Sequence, residues 1–306
     1  MLSRAAFLFT VDLELAWGLV HSLRPTNLNL LKRDGSHGRH AVGTLLRLLD
    51  KHQVPATWAT VGHLFLDRCH REHGECHPNM RRVTQDWYGV DPCSDIARDP
   101  LFYGSDILSK VMSSTVGHEI GYHSFSHVAF DGCSPEVAES EVAEGTRLAA
   151  KLGIPLRSFV FPHNRVGHVA MLKRHGFRIY RSRNLLHRAP RWPLGWAVSG
   201  AKDLLIATPC HASADDSIWE IPSSLYFSES RFPFTLVPRA RLGLRRAIRR
   251  HAVLHVFLHD WNLVTDPSLA PKLDRLLASV ARHRERGALD TLTMAGLADR
   301  LDGSDR

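Results

Sequence analysis

The sequence predicts a single α/β domain built on a mainly parallel sheet. Apolar strand-like segments alternate with helical segments along the whole chain, and neither a linker nor a shift in composition interrupts them. The 306 residues, 44% of them hydrophobic, are enough for one large core. The alternation fits a barrel or an open sheet, and in both folds the chemistry gathers at the carboxyl ends of the strands.

Strands and helices can be assigned in order along the first half of the chain. The opening strand "AAFLFTVDLEL" is apolar and ends in acids. The helix "SPEVAESEVAEGTRLAAKLG" has Ser134 as its N-cap, Pro135 in its first turn and Gly153 as its stop. The other predicted elements are the helix "GRHAVGTLLRLLDKHQV", the strand and helix start in "ATWATVGHLFL", the helix "ILSKVMSST" and the strand "HEIGYHS".

The second half continues the alternation. Its predicted elements are the strand "SFVFP", the helix "HVAMLKRHGF", the strands "RIYRS" and "WEIPSS", an Arg-rich helix, the strand "VLHVFLHDW", the helix "APKLDRLLASVARHRERG" and a final strand and helix in "LDTLTMAGLADRL". We predict one domain over residues 1–300 and a disordered tail over residues 301–306.

We expect two stretches of the chain to shape a pocket. Residues 67–104 are rich in Cys, His, Pro, Asp and Gly and form a long insertion loop, and the second stretch covers residues 187–235. Within the insertion, "CHREHGECH" has the composition of a metal site but neither a second CxxC nor a zinc-finger spacing. We therefore favour an exposed loop there over a structural metal.

The net charge of +8 favours acidic partners or an anionic surface. The simplest interpretation is a scattered excess of surface arginines. The segment Arg239–Arg250 concentrates six of them among leucines, as in an amphipathic helix with a solvated basic face or a peripheral contact to a membrane. No signature of a nucleic-acid module accompanies it.

The cysteines and the N-terminus predict a cytoplasmic protein, free or peripheral to the membrane. Five cysteines, an odd number without framework spacing, are typical of reduced thiols. The first apolar run is short, is interrupted by Asp12 and Glu14, and has no cleavage pattern after it. No uncharged apolar run reaches membrane-spanning length.

Histidine spacing alone says little in this chain, because 20 histidines produce four His-x-x-x-His pairs. Position along the predicted strands is more informative. Polar side chains at or just after strand ends converge at one edge of a parallel sheet. These side chains are Asp12, Glu14, His123, His127, His163 and His259.

The two acids and two of the histidines suggest metal chemistry. Asp12 and Glu14 are two residues apart on an extended chain and therefore face one side, where one can bind a cation while the other accepts a proton. His123 and His127 would complete a two-histidine, one-carboxylate set with open positions. The alternatives are solvated acids at a strand end and a pair of hydrogen-bonded histidines.

The stretch "HSFSH", preceded by "HEIG", resembles the H-[ST]-x-x-H motif of the polysaccharide deacetylases, carbohydrate esterase family 4 with NodB homology. The segments "FTVDLELAWG", "ATWATVGHLF", "RSFVFPHN" and "HVFLHDWNL" are similar to further family motifs and occur in the family's order across residues 7–263. The resemblance implies a distorted (β/α) barrel of about seven parallel strands. It also implies metal-dependent hydrolysis of an acetamide on a sugar.

Residue roles follow from the resemblance. Asp12 is expected to act as general base and Glu14 as metal ligand, as in branches with an Asp-x-Glu motif, although the two roles remain exchangeable. His123 and His127 are the other expected ligands, and His259 is the expected general acid. The expected ion is Zn²⁺, with Co²⁺, Ni²⁺ or Mn²⁺ as alternatives. Expected substrate-binding or supporting residues are Trp17, Phe161, Pro162, His163, Asn164 and His255, the last of which could equally be a packed strand histidine.

Two supporting groups of the family have no obvious counterpart. Val160 and Phe161 stand before Pro162 where the family usually holds the arginine that orients the base, so His163 or Arg165 is expected to substitute. The Asp-x-Trp element that supports the catalytic histidine is also unclear. Its candidate replacements are Asp215, Asp216, Glu220 beside Trp219, and Asp260.

Three functions remain open from the sequence. The first is removal of an N-acetyl group from an amino sugar in a glycan, glycolipid or glycoconjugate precursor. The second is hydrolysis of a non-sugar amide, imide or natural-product acetamide by the same fold. The third, suggested by the altered third motif, is a carbohydrate-binding protein whose chemistry has lapsed.

Overall fold

The computed structural model describes residues 2–20, 31, 35–71, 87–183, 211–212, 218–228 and 235–304. Its strands are β1 (Ala5–Leu13), β2 (Thr57–Thr60), β3 (Glu119–Tyr122), β4 (Ser158–Val160), β5 (Ile179–Ser182), β6 (His211–Ala212), β7 (Trp219–Pro222), β8 (Leu225–Tyr226), β9 (Val253–His259) and β10 (Leu289–Leu292). Its helices are α1 (Trp17–Val20), α2 (Ser36–His52), α3 (Ser105–Met112), α4 (Pro135–Lys151), α5 (Val169–Arg174), α6 (Leu236–Arg250), α7 (Asn262–Thr265), α8 (Leu269–Glu285) and α9 (Met294–Ser304). Short 3₁₀ turns cover Gly62–Phe65, Trp87–Val90 and Pro162–Asn164.

The ten strands found in the described residues belong to one sheet, with parallel neighbours in the order β7-β5-β4-β3-β2-β1-β9-β8. β10 runs parallel to the start of β1, and β6 runs antiparallel to β7. The sheet curls into a half-barrel with helices around it. This confirms the predicted single-domain, distorted (β/α) barrel. The described residues form a parallel run of eight strands, with β10 beside it, where about seven strands were expected.

Strand β1 has neighbours along both of its edges and is buried along its whole length. One edge pairs with β9 throughout, while the other edge pairs first with β10 and then with β2. In this register Asp12 lies directly opposite His259. Because parallel strands end at the same edge of the sheet, the acidic end of β1 and the histidine of β9 meet there.

Helix α4 shows the predicted capping. The Ser134 side chain accepts a hydrogen bond from the Val137 backbone N–H at 3.4 Å, and Pro135 occupies the first helical position. Gly153 follows the helix with φ +68°, a left-handed conformation that glycine adopts without a Cβ clash.

The Arg-rich helix α6 rests on the core. Ala240, Leu244 and Ala247 are buried, and Arg241, Arg245, Arg249 and Arg250 are exposed. This matches the amphipathic-helix interpretation, in which the arginines form a solvated face. Among the described residues no helix combines the length and the apolar character needed to cross a membrane.

The C-terminal residues differ from the prediction. Helix α9 continues to Ser304, so residues 301–304 are helical rather than a disordered tail. Asp302 explains the difference, because its carboxylate pairs with Arg178 and accepts a hydrogen bond from Trp219 Nε1 at 2.9 Å. These contacts fix the last turn to the barrel.

The insertion over residues 67–104 is described at both of its ends. Residues 72–86 lie outside the described part of the chain, as does most of the 187–235 stretch. In the described start of the segment "CHREHGECH", His70 and Arg71 are exposed as expected of a loop, whereas Cys69 is buried with 4% exposure. Cys93, and Cys133 outside the insertion, are free thiols like Cys69.

Candidate metal and acid–base site

Five of the six polar side chains predicted at strand ends contact one another in the structure. Asp12 and Glu14 come from the end of β1, His123 and His127 from the loop after β3, and His259 from the end of β9. All except His259 are at most 2% exposed. The sixth, His163, packs its ring edge-on against His127 at 4.6 Å between centroids.

Glu14 and the two loop histidines form a set of three ligand atoms. Glu14 Oε1 lies 3.1 Å from Nε2 of His123 and 3.1 Å from Nε2 of His127. His123 Nδ1 donates to the Val160 carbonyl at 2.6 Å, so in the neutral ring Nε2 carries a lone pair. Two imidazole nitrogens and a carboxylate oxygen aimed at one point are the donor set of a divalent cation with open positions.

Glu14 is held in place both at its carboxylate and at its backbone. Trp261 Nε1 donates to Glu14 Oε2 at 3.3 Å, and the Glu14 backbone N–H donates to Asp260 Oδ1 at 3.2 Å. A methyl group on Gly18 would overlap Glu14 Oε2, so the absence of a side chain there leaves room for the carboxylate. Burial raises the pKa of Glu14, but the charges of His259 and His127 outweigh it and hold that pKa well below its ordinary value.

Asp12 forms a buried ion pair instead. Its two carboxylate oxygens accept hydrogen bonds from Nη1 and Nη2 of Arg181 at 2.7 and 2.6 Å. Burial raises the Asp12 pKa, and the Arg181 guanidinium reverses this, so the pKa lies below its ordinary value. Asp12 is therefore ionised and fixed in orientation beside Glu14.

Arg181 was not among the predicted site residues, and it occupies the place expected for His163 or Arg165. It also donates to Thr10 Oγ1 at 2.9 Å and to Asn164 Oδ1 at 3.2 Å, and it lies 4.2 Å from the centre of the Phe257 ring. The sequence feature that could have indicated Arg181 is its position inside the apolar strand "RIYRS", since an arginine is rarely buried without a partner and this one is fully buried.

The expected substitutes for that arginine lie elsewhere. Arg165 is exposed and pairs with Asp131 at 2.6 Å, while His163 packs on His127. In the sheet, Arg181 on β5 is the register partner of Val160 on β4. The Arg181 guanidinium therefore reaches Asp12 from β5, the strand next to β4, at the level where β4 ends.

His259 lies between the two acids and is supported by a phenol. Its Nε2 is 3.7 Å from Asp12 Oδ2 and 3.6 Å from Glu14 Oε1, and its Nδ1 is 3.0 Å from Tyr226 Oη. Asn262 Nδ2 donates to the same hydroxyl at 2.9 Å. Burial raises the pKa of Tyr226, so the phenol is neutral at ordinary pH.

The expected acidic partners of His259 are engaged elsewhere. Asp260 binds the Glu14 backbone, and Glu220 accepts hydrogen bonds from Tyr180 at 3.0 Å and Ser182 at 2.6 Å. Asp215 and Asp216 lie outside the described residues. No pattern in the sequence indicated Tyr226, because it lies on a two-residue strand, 33 residues before His259.

The remaining predicted residues lie behind the site or beside it. Trp17 is fully buried against the His63 ring at 4.5 Å, and Phe161 and Pro162 are also buried. His255 lies beneath the ion pair, with Nε2 3.1 Å from Thr10 Oγ1. Burial and the nearby Arg181 lower the His255 pKa to about 3, so its ring is neutral.

The loop that carries His123 and His127 is clamped by an unpredicted glutamate. Glu141 of α4 accepts from the Ser126 backbone N–H at 2.8 Å and from Ser126 Oγ at 2.6 Å. Tyr88 donates to Glu141 at 3.0 Å, and Trp87 Nε1 donates to the Ser126 carbonyl at 3.1 Å. The insertion thus helps to hold the loop that carries His123 and His127.

Comparisons with known proteins agree with this geometry. Residues 34–180 match the family model described as polysaccharide deacetylase. A Mycobacterium smegmatis structure described as a polysaccharide deacetylase has a TM-score of 0.66 at 15% identity, over 99% of this chain and 92% of that one. A Pseudomonas aeruginosa PAO1 structure of the same description has a TM-score of 0.62 at 13% identity, over 96% and 90%.

The allantoinase PuuE has a TM-score of 0.63 at 12% identity, over 97% of this chain and 91% of that one. No curated protein matches the chain. At such identities the solved structures show a shared fold, and the family model supplies the more specific match. The family model thus identifies residues 34–180 as a polysaccharide deacetylase domain, and the solved structures show that the rest of the chain shares the same fold.

Proposed function

We propose that the protein is a metal-dependent N-deacetylase that removes an acetyl group from an amino sugar in a glycan, glycolipid or glycoconjugate precursor. One observation carries the proposal. Glu14, His123 and His127 direct three ligand atoms at one point, immediately beside an ion-paired carboxylate and a histidine. Family membership supplies the carbohydrate deacetylase class.

The proposed ligand is Glu14 rather than Asp12. Both oxygens of Asp12 already accept hydrogen bonds from Arg181, whereas Glu14 Oε1 faces the two imidazoles. The set of two nitrogens and one oxygen suits Zn²⁺, and Co²⁺, Ni²⁺ or Mn²⁺ would also fit. A divalent cation bound there would act as a Lewis acid on the amide carbonyl and would acidify a water molecule.

The chain's own residues then move the protons. Asp12, kept ionised and oriented by Arg181, accepts the proton of the attacking water. His259, with Nδ1 fixed by Tyr226, presents Nε2 to protonate the departing amine. Asp12 and His259 both reach the space beside Glu14, so one bound amide can contact both groups.

Two other functions compete with this one. The allantoinase PuuE shares the fold, so hydrolysis of a non-sugar amide or imide is the second candidate. The lapsed enzyme loses its main argument, because Arg181 supplies the guanidinium that the third motif lacks. A cytoplasmic location would favour a nucleotide- or lipid-linked sugar as substrate.

The test combines metal content with acetate release from a panel of N-acetylated amino sugars. We expect bound metal, acetate release, loss of activity on chelation and recovery when Zn²⁺ is added back. His123→Ala should lose the catalytic ion, whereas Asp12→Asn should keep it and lose about 10²–10⁴-fold in rate. His251→Ala is the matched control, since this exposed histidine belongs to another His-x-x-x-His pair.

The alternatives give different results. Bound metal without acetate from any sugar, but with turnover of a cyclic imide or ureide, would favour the second function. Absence of metal at Glu14, His123 and His127 would contradict the proposal. If Glu14→Ala kept the ion and Asp12→Ala lost it, the roles of the two acids would be exchanged.

A further inference from the structure

A second group of buried ligand-type side chains lies where the insertion meets the barrel. We call His63, Cys69 and Asp91 the insertion cluster; their ligand atoms all lie within 4.8 Å of one another. His63 Nε2 is 3.2 Å from Asp91 Oδ2, and both side chains are fully buried. Nitrogen, thiolate sulfur and carboxylate oxygen are the three donor types that Zn²⁺ takes in proteins.

His63 and Asp91 are each oriented through the atom that does not face the cluster. His63 Nδ1 lies 3.0 Å from the Phe102 carbonyl, to which it can only donate, so Nε2 of the neutral ring carries a lone pair. Asp91 Oδ1 accepts from the Cys93 backbone N–H at 2.9 Å, which leaves Oδ2 directed at His63. Such outer hydrogen bonds are the usual support of metal-binding imidazoles and carboxylates.

A doubly protonated His63 would also account for its two contacts, as an ordinary buried ion pair with Asp91. Cys69 adds a third donor type: its thiol hydrogen-bonds to Asp91, and on losing its proton the same sulfur can bind an ion that His63 and Asp91 share. Cys69 Sγ accepts a hydrogen bond from the backbone N–H of Arg71 at 3.3 Å, and so its sulfur is oriented like the other two ligands.

We propose that His63, Cys69 and Asp91 bind a Zn²⁺ ion that fastens the insertion to the barrel beside the loop that carries His123 and His127. Three protein ligands would leave the fourth tetrahedral position to water, one protein ligand fewer than a structural zinc site usually has. Binding of the ion displaces the proton of the Cys69 thiol, since zinc takes cysteine as the thiolate.

The position of the cluster gives the ion a structural role. Cys69 lies near the start of the insertion and Asp91 towards its end, while His63 belongs to the turn after β2. The backbone N–H groups of Gly62 and His63 donate to the carbonyls of Ser124 and Phe125 at 2.8 and 2.9 Å. The ion therefore ties the insertion to the backbone that positions His123 and His127.

Metal stoichiometry of the purified full chain tests this proposal. The wild type should hold two zinc equivalents, and the double variant of His123→Ala and His127→Ala should keep one. Cys69→Ser should also keep one, because a serine hydroxyl is a poor zinc ligand. Cys133→Ser is the matched control and should keep two, since Cys133 lies outside the cluster.

Cobalt substitution of the wild type gives a readout that needs no variant to fold. A Co²⁺ ion bound to Cys69 gives a thiolate-to-cobalt charge-transfer band in the near ultraviolet, which a site of histidines and a carboxylate lacks. The band should persist in the His123 and His127 double variant and vanish in Cys69→Ser. Wild-type protein without this band, or a band that survives in Cys69→Ser, would overturn the proposal.

The same measurements separate this proposal from the proposed function. If the wild type holds one zinc, and that zinc is lost in Cys69→Ser but retained in the His123 and His127 double variant, the insertion cluster is supported and the catalytic ion is contradicted. If that one zinc is instead lost in the His123 and His127 double variant, and the cobalt protein shows no thiolate band, the catalytic ion is supported and the insertion cluster is contradicted.

Discussion

Replacement of Arg181 by methionine should move the pH dependence of the reaction. The guanidinium is fully buried, and Asp12, to which it makes two hydrogen bonds, is 2% exposed. Removal of one partner of such a pair leaves an uncompensated buried charge, which costs about 3–5 kcal/mol. At about 1.4 kcal/mol per unit, this corresponds to a rise of about 2–4 units in the pKa of Asp12.

The assay is the pH profile of kcat/KM for acetate release. With the Asp12 pKa below its ordinary value, the wild type should keep an ionised base down to acid pH. In Arg181→Met the acid limb should move up by about 2–4 units, so that activity falls at neutral pH and recovers in alkali. Arg181→Lys should lie between, because a lysine keeps the charge but not the paired hydrogen bonds.

Arg178→Met is the control, because Arg178 pairs with Asp302 at the surface, where an ion pair is worth at most about 1 kcal/mol. Its acid limb should coincide with that of the wild type. An acid limb that stays in place in Arg181→Met would refute the assignment of Asp12 as a base held by Arg181.

Unfolding by urea gives a second reading that needs no substrate. In the wild type the depressed pKa of Asp12 adds stability above its ordinary pKa, and this stability is lost as pH falls through the folded value. In Arg181→Met the folded pKa is raised, so the sign reverses and stability falls as pH rises through the raised value. The free-energy difference between the two proteins should grow as pH rises from the depressed Asp12 pKa of the wild type to the raised Asp12 pKa of the variant. A constant difference would indicate lost packing rather than lost charge compensation.

Two further substitutions test the support of the site. Gly18→Ala should weaken binding of the catalytic ion by about 10–100-fold, because the added methyl group displaces the Glu14 carboxylate. Gly43→Ala, at an uncrowded helix position, is the control and should leave metal content unchanged. Equal metal content in both variants would contradict the role of Gly18. Tyr226→Phe should lower kcat about 5–10-fold with little change in KM, because His259 loses the hydrogen-bond partner of Nδ1; an unchanged kcat would show that the phenol does not support the histidine.

Local chain chemistry was sufficient to predict most of the fold. Alternating apolar segments and helix stop signals gave the order of strands and helices, and the cap at Ser134 is present as expected. The six strand-end polar residues were predictable for the same reason, since a parallel sheet collects its carboxyl ends at one edge. The structure brings five of them into mutual contact, and the sixth touches His127.

The supporting residues were not predictable in this way, because their contacts depend on distant segments. Arg181 lies 169 residues from Asp12, and Tyr226 lies 33 residues from His259. A single sequence shows only that an arginine stands in an apolar strand. Which carboxylate it reaches depends on strand order and register, and these are set by packing rather than by local pattern.

Several residues at the rim of the barrel, the edge where the strands end and the candidate site lies, have a left-handed backbone conformation. Leu15, Ser124, His127, His163 and Asn164 all have φ between 46° and 65°, a region that costs side-chain-bearing residues of order 1–3 kcal/mol each. Hydrogen bonds and ion pairs, together with the proposed metal ion, must offset that strain, whereas the strands beneath do not carry it. On heating, the protein should therefore lose activity while its barrel is still folded, and a slow return of activity on cooling would follow the reassembly of the rim rather than refolding of the chain.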